Sequence, residues 1–222
     1  MSAVSSKFRS VSFLILAGCI SSLTTATAAF DPEPLKKSFA KQATYRSVQV
    51  KIRQTKKLPA LKEPVINTGY LWLQPKLAFR WQLGNPKVQS AVYDGQKVYL
   101  LDEKQKTAQE YNSTDRKVKP LLLMLGIGES ASFDSMMKIF EVTGVTHKGE
   151  QYAVALTPKS GKLKRVIVQM VLQVNLQTSY VERIEWTQKD GSVIITEFAK
   201  PKLNASLPQG IFEVNRAAYT WE

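Results

Sequence analysis

The chain has little of what catalysis and covalent stapling require: one cysteine, Cys19, and one histidine, His147, in 222 residues. If a leader is removed beyond Cys19, no thiol remains for a disulfide, a thiolate metal site or a cysteine nucleophile. His147 stands between Gly144 and Gly149 in a turn-like setting. No Gly-x-Ser-x-Gly elbow surrounds any serine, and no His/Asp/Glu spacing suits a metal. Gly126-Ile-Gly128 is followed by Glu129 and lacks the Lys-Ser/Thr of a phosphate loop. The carboxylate pairs Asp102/Glu103 and Glu182/Glu185 have ordinary surface explanations. The expectation is a protein that is not an enzyme, with no catalytic residue, metal or cofactor; a hydrolase would rest on His147 alone.

Acidic residues are also scarce, 18 Asp and Glu against 31 Lys and Arg, a formal net charge of +13. The bases are spread along the chain apart from two groups, Lys51, Arg53, Lys56 and Lys57, then Lys159, Lys162, Lys164 and Arg165. Such groups are usually solvated strand faces and hairpin ends. Where they do act, a membrane or an acidic partner fits better than nucleic acid, for the front of the chain reads as an export signal. Residues 1–29 form a secretory leader: Lys7 and Arg9, an apolar run Val11–Ile20 too short to span a bilayer, then Ala26-Thr-Ala28 for cleavage. Leu16-Ala-Gly-Cys19 offers a competing lipobox, in which Cys19 is acylated. No later apolar run is long enough to cross a membrane. The rest, residues 30–222, is long enough for one domain with a sizeable core.

What is abundant is short-period β pattern. Asp31-Pro-Glu-Pro34 opens a helix, with Leu35, Phe39 and Ala43 on one stripe and an end expected near Tyr45. Period-two alternation follows from Val48 to Arg53, and strands are expected at 66–74, 78–83, 88–93 and 97–102, with Asp94-Gly95 as a turn. Between Arg116 and Phe140, Pro120-Leu-Leu-Leu-Met-Leu-Gly126 and Phe133–Phe140 read as two short helices, the second capped by Ser130 or Ser132. Strands resume at 141–147, 151–157, 164–176, 180–187 and 192–200, with a last short one at 211–214. The pattern predicts a mainly β fold with some α: one antiparallel sheet of about ten or eleven strands, curled into an incomplete barrel. An N-terminal helix precedes it, and two helices lie across its concave side.

Large apolar residues appear on both faces of these strands. In Gly69-Tyr-Leu-Trp-Leu-Gln-Pro-Lys-Leu-Ala-Phe-Arg-Trp81, Tyr70 and Trp72 point one way, Leu71 and Leu73 the other. Either both faces are covered, or one lines a cavity that an apolar guest enters. Methionines 124, 136 and 137 on the lid segments suit a surface that repacks around variable apolar ligands.

The run Gly69, Leu71, Pro75, Phe79, Arg80 and Trp81, then Asp94-Gly95 and Val98-Tyr-Leu100, resembles the periplasmic lipoprotein-carrier family LolA. Leu156-Thr-Pro-Lys159, the strand Leu163–Gln173 and Phe212 extend the likeness over nearly the whole chain after the leader. The resemblance implies a half-open barrel around an apolar cavity with helices as its lid. Its members take lipoproteins released by an inner-membrane ATP-driven transporter and pass them to an outer-membrane acceptor. Exposing an acyl methylene costs about 0.8 kcal/mol, so such cargo needs cover between membranes. With the apolar surplus, it implies cavity positions at Trp72, Phe79, Trp81, Tyr99, Leu122, Leu123, Met136, Met170 and Trp186. The family's basic residue before the proline, which holds the lid, is Gln74 here, leaving a weaker latch unless Lys76 or Arg80 substitutes. The implied partners are lipidated polypeptides, the transporter and the acceptor, with no nucleic acid, for a monomer in the periplasm. The alternative is an outer-membrane acceptor of the same fold, anchored through Cys19.

Overall fold

The computed structural model describes residues 29–84, 86–115, 117–127 and 132–222, with the side chains of 120, 123 and 124 outside that description. The leader, the Cys19 lipobox, Ser130 and the side chain of Leu123 therefore lie outside the described residues.

The N-terminal helix α1 (Glu33–Gln42) starts where Pro32 and Pro34 preset φ, and Asp31 Oδ1 accepts from the Glu33 N–H at 3.0 Å. It stops before Tyr45, because Ala43 and Thr44 already turn the chain toward the sheet. Six strands follow: β1 (Val48–Lys57), β2 (Val65–Gln74), β3 (Ala78–Leu83), β4 (Gln89–Tyr93), β5 (Lys97–Asp102) and β6 (Thr107–Asn112). Two short helices, α2 (Lys119–Met124) and α3 (Phe133–Ile139), lead to β7 (Phe140–Lys148) and β8 (Gln151–Pro158). Ser132 caps α3, its Oγ accepting from the Ser135 N–H at 3.2 Å. A single helical turn, α4 (Gly161–Lys164), precedes β9 (Ile167–Asn175), β10 (Val181–Gln188), β11 (Val193–Phe198), β12 (Lys202–Leu203) and β13 (Thr220–Trp221).

Among the described residues thirteen strands belong to one open sheet, in the order β13-β6-β5-β4-β3-β2-β1-β11-β10-β9-β8-β7, with β12 paired to β1. Every pairing is antiparallel except that of β13 with β6. The half-barrel, the N-terminal helix and the two lid helices are as the pattern predicts, but the strands are more numerous. Strand β6 has only Ala108 buried and is otherwise polar, so it carries no apolar alternation to read. Residues 211–214 form turns instead of a strand, and the chain end pairs later, at Thr220–Trp221. Lys164, expected to begin a strand, is instead the last residue of α4, whose turn the Ser160 hydroxyl caps by accepting from Leu163 N–H, and the strand begins at Ile167.

The helix-bearing face holds two apolar clusters. One joins Val48, Val50, Leu71, Leu73, Phe79 and Tyr93 to Leu122, Leu125 and Ile127 of the α2 segment. The other joins Leu35 of α1 with Phe133 and Met136 of α3 to Val154, Leu156, Met170, Leu172 and Ile184. Phe198 of β11 packs against both. A third cluster, Val92, Tyr99, Leu101 and Ala108, lies on the opposite face beneath Val214, Tyr219 and Trp221.

Candidate functional site

Strand register sorts the expected cavity residues into two sets. Val48, Leu73, Phe79, Tyr93 and Val98 stand opposite one another across five strands, and Val50, Leu71 and Trp81 form the next inward row. Leu156, Met170 and Trp186 make a matching row in the other half. Phe79, Trp81, Leu122, Met136, Met170 and Trp186 thus all belong to the helix-bearing side, divided between its two clusters.

Trp72 and Tyr99 do not. They share a row with Arg80 and Val92, which faces outward. Trp72 stacks on Tyr70 at 5.3 Å, and Tyr99 meets Trp221 edge-on at 5.8 Å. Both faces of the β2–β5 region are covered: helices close the inner one and the C-terminal segment closes part of the outer one. Those two aromatics were expected inside because alternation cannot say which of two apolar faces the helices occupy.

Arg80 is likewise corrected. Its Nη1 donates to the carbonyls of Ile211 (3.1 Å) and Glu213 (3.3 Å), so it fastens the C-terminal segment instead of the lid. Glu103 lies 3.8 Å from its Nη2. Burial alone would raise the Glu103 pKa, but hydrogen bonds from Tyr219 and Ser90 and the charge of Lys106 outweigh it and lower the carboxyl. The same burial and contact push Tyr219 up to about 12. Gln74 is also on this side, at the edge of a depression shared with Arg46, Ser47 and residues 204–213. Among the described residues its amide makes no hydrogen bond to the lid.

The lid is fastened by other groups. Gln42 Nε2, at the end of α1, donates to the Leu125 carbonyl at 2.7 Å. Beside it the Lys76 N–H donates to the Gly126 carbonyl at 3.2 Å, and Lys76 pairs with Ile127 as an isolated parallel bridge. So the turn after Gln74 does hold the lid, through backbone and not through a side chain at position 74. Gly126 has φ +68, and a Cβ there would come within 3.1 Å of Gln42 Nε2. At the other end Lys159 Nζ donates to the Met137 carbonyl at 2.7 Å. Gln42 gives no sequence signal beyond its place at a helix end.

Where the clusters meet, a cavity of about 90 Å³ remains between α1, Leu125 and the sheet. Val48, Val50, Leu71, Leu73, Ile184 and Phe198 line its apolar part, and Ser38, Gln42, Tyr45 and Tyr180 its polar edge. Burial, with the neighbouring Tyr180 phenol adding to it, pushes Tyr45 up to about 12. The Tyr45 hydroxyl is buried without a hydrogen-bond partner among the described residues. Ligand sites usually measure about 300–1,000 Å³, so this space holds a long chain only if the helices move.

An open, largely antiparallel half-barrel with helices laid across its hollow is the class of fold this chain adopts. Residues 43–215 match the family "Outer membrane lipoprotein carrier protein LolA", and the chain belongs to that family. Among solved structures it is similar to an uncharacterized conserved protein from Thermus thermophilus (13% identity, 86% of this chain and 98% of that one, TM-score 0.49). It is also similar to a LolA superfamily protein from Nitrosomonas europaea (12%, 85% and 99%, TM-score 0.44). The third is MucB in the Pseudomonas aeruginosa MucA/MucB complex (11%, 84% and 61%, TM-score 0.44). No curated protein matches the chain.

Proposed function

We propose that this protein is a non-catalytic carrier of lipidated polypeptides in the periplasm, exported by its leader, and that it shelters acyl chains on the inner face of the half-barrel. It receives them from an inner-membrane releasing transporter and delivers them to an outer-membrane acceptor. The observation that carries this reading is the cavity at the seam of the two clusters. It is apolar along the sheet, and its cover is fastened by few polar contacts, those of Gln42 and Lys76 among them. Lifting α1 and the α2 segment would expose Leu71, Leu73, Val50 and Phe198 as one continuous floor. Each methylene laid on that floor gains about 0.8 kcal/mol, enough to offset the cover's own apolar contacts as the chain lengthens.

Native mass spectrometry of protein purified from cells tests the reading, with bound acylated polypeptide as the expected result. Leu73→Trp, which fills the seam, should abolish binding of a fluorescent fatty-acyl probe while leaving the circular dichroism unchanged. Undiminished probe binding to that variant would refute the assigned site. An acyl group on Cys19 at the mature terminus would instead make the protein the anchored acceptor.

A further inference from the structure

The antiparallel order brings five connections to one rim of the half-barrel: β1–β2, β3–β4, β5–β6, β8–β9 and β10–β11. This rim concentrates two unusual surface features. The first is exposed aliphatic surface. Leu61, Val65, Ile66, Val88, Val166 and Val168 are all here, with Val166 at 55% the most exposed of them; among the described residues only Leu77 stands comparably bare elsewhere.

The second feature is charge. Lys57 ends β1 and Lys62 lies in the loop after it, and α4 with its exit carries Lys162, Lys164 and Arg165. Lys87 and Lys189 add to these from neighbouring turns. All seven are exposed, and among the described residues their side chains form no ion pair. Acids on this rim are fewer, and one of them is paired locally. Glu103 is buried against Arg80 and Lys106, while Asp102 and Asp190 accept from backbone N–H groups of their own turns. Among the described residues Glu63, Glu141, Asp102 and Asp190 are left to counter the bases, which outnumber them. The opposite rim is basic too, with exposed Lys76, Lys117, Lys119, Lys148, Lys200 and Lys202 against Asp94, Asp115 and Glu150. Leu77 is its one bare aliphatic among the described residues, so what sets the first rim apart is bases interleaved with exposed aliphatic side chains.

We propose that this rim docks directly onto a membrane surface rich in anionic phospholipid. Lysines and an arginine attract the headgroups, and the aliphatic side chains between them enter the interfacial layer. The residue types favour lipid over an acidic protein. Protein interfaces are depleted in lysine and anchored by aromatic or arginine side chains seated in pockets. Here the bases are nearly all lysine, and the apolar groups are aliphatics spread over three connections, with no aromatic among them. A fluid bilayer needs no fixed geometry from them. The inference does not rest on the acyl-chain reading, since no rim residue named here lines the seam cavity.

The test is co-sedimentation of the full protein with vesicles of phosphatidylglycerol and phosphatidylcholine, against phosphatidylcholine alone. Binding is expected only to the anionic vesicles and should fall steeply as salt rises toward about 0.5 M. Replacing Lys162, Lys164 and Arg165 by Glu should weaken partitioning at least about tenfold. The same charge change at Lys37, Lys117 and Lys148, away from the rim, should have little effect. Val166→Ser with Val168→Ser should weaken it with no change in salt dependence. Equal loss from the two charge variants would overturn the proposal. So would failure to bind anionic vesicles by a protein that polyglutamate captures, which would assign the rim to an acidic polypeptide.

Discussion

The rings of Trp81 and Phe198 meet edge to face, their centroids 5.9 Å apart, although their strands β3 and β11 are separated by β2 and β1. In a flat sheet strands three positions apart lie about 14 Å from each other. The contact is therefore a direct measure of how sharply the sheet curls about its inner face. It also places Phe198, which touches both apolar clusters, at the point where the halves of the half-barrel close on one another.

Phe198→Ala should accordingly lower stability by about 3 kcal/mol in urea denaturation, the low end for a large aromatic because the ring is half-buried. A double-mutant cycle with Trp81→Ala should return a coupling of about 1 kcal/mol. Additive losses would mean the rings share no energetic contact.

Removing the Gln42 donor leaves the Leu125 carbonyl without that partner. Gln42→Leu should weaken the closed arrangement by about 1 kcal/mol. Hydrogen exchange should then accelerate in residues 119–127, and acyl-probe affinity should rise about fivefold. Gly126→Ala should act in the same direction, through its left-handed backbone and its closeness to Gln42. Gln74→Arg should leave both readouts unchanged, because that side chain faces away from the lid; a slower release would restore it as a latch.

Gly69 is fixed by contact. A Cβ there would sit 1.9 Å from the Gln82 carbonyl oxygen of the neighbouring strand β3. Gly69→Ala must part those strands and should cost about 3 kcal/mol, seen as a lower urea midpoint. No flexible side chain is available to yield in place of backbone.

The C-terminal segment should respond to acid. Glu103 titrates below its usual value in the folded protein, so its contribution is fully present above the ordinary carboxylate range. It is lost as pH falls through the lowered folded value. Trp221 fluorescence should change on acidification as the contacts of Glu103 with Tyr219 and Arg80 weaken, and protease should then clip residues beyond 205. Glu103→Gln should flatten that pH dependence, and an unaltered acid transition would place its origin elsewhere.

Much of the strand pattern was readable because apolar alternation and Asp-Gly or Pro turns mark it: Ala78–Leu83 and Lys97–Asp102 stand where the pattern put them. Strand β6 was not readable, since Thr107–Asn112 owes its place to pairing with β5 and β13 and not to burial. Which apolar face of β2–β5 the helices would cover was equally hidden. Trp72 and Trp81 look alike along the chain, yet the register turns one outward and the other in. The fastening of the lid by Gln42 depends on two segments 83 positions apart meeting in space, which no local pattern encodes.

Strand β1 sits between β2, its neighbour in sequence, and β11, which follows it by well over a hundred residues. While the chain is being made, the first six strands can assemble before β11 exists. For that interval β1 presents a ten-residue bare edge, with Val48, Val50 and Ile52 covered by no more than the α2 segment. A ribosome stalled before residue 193 would thus display a template for aggregation, and chaperone demand during synthesis should peak there.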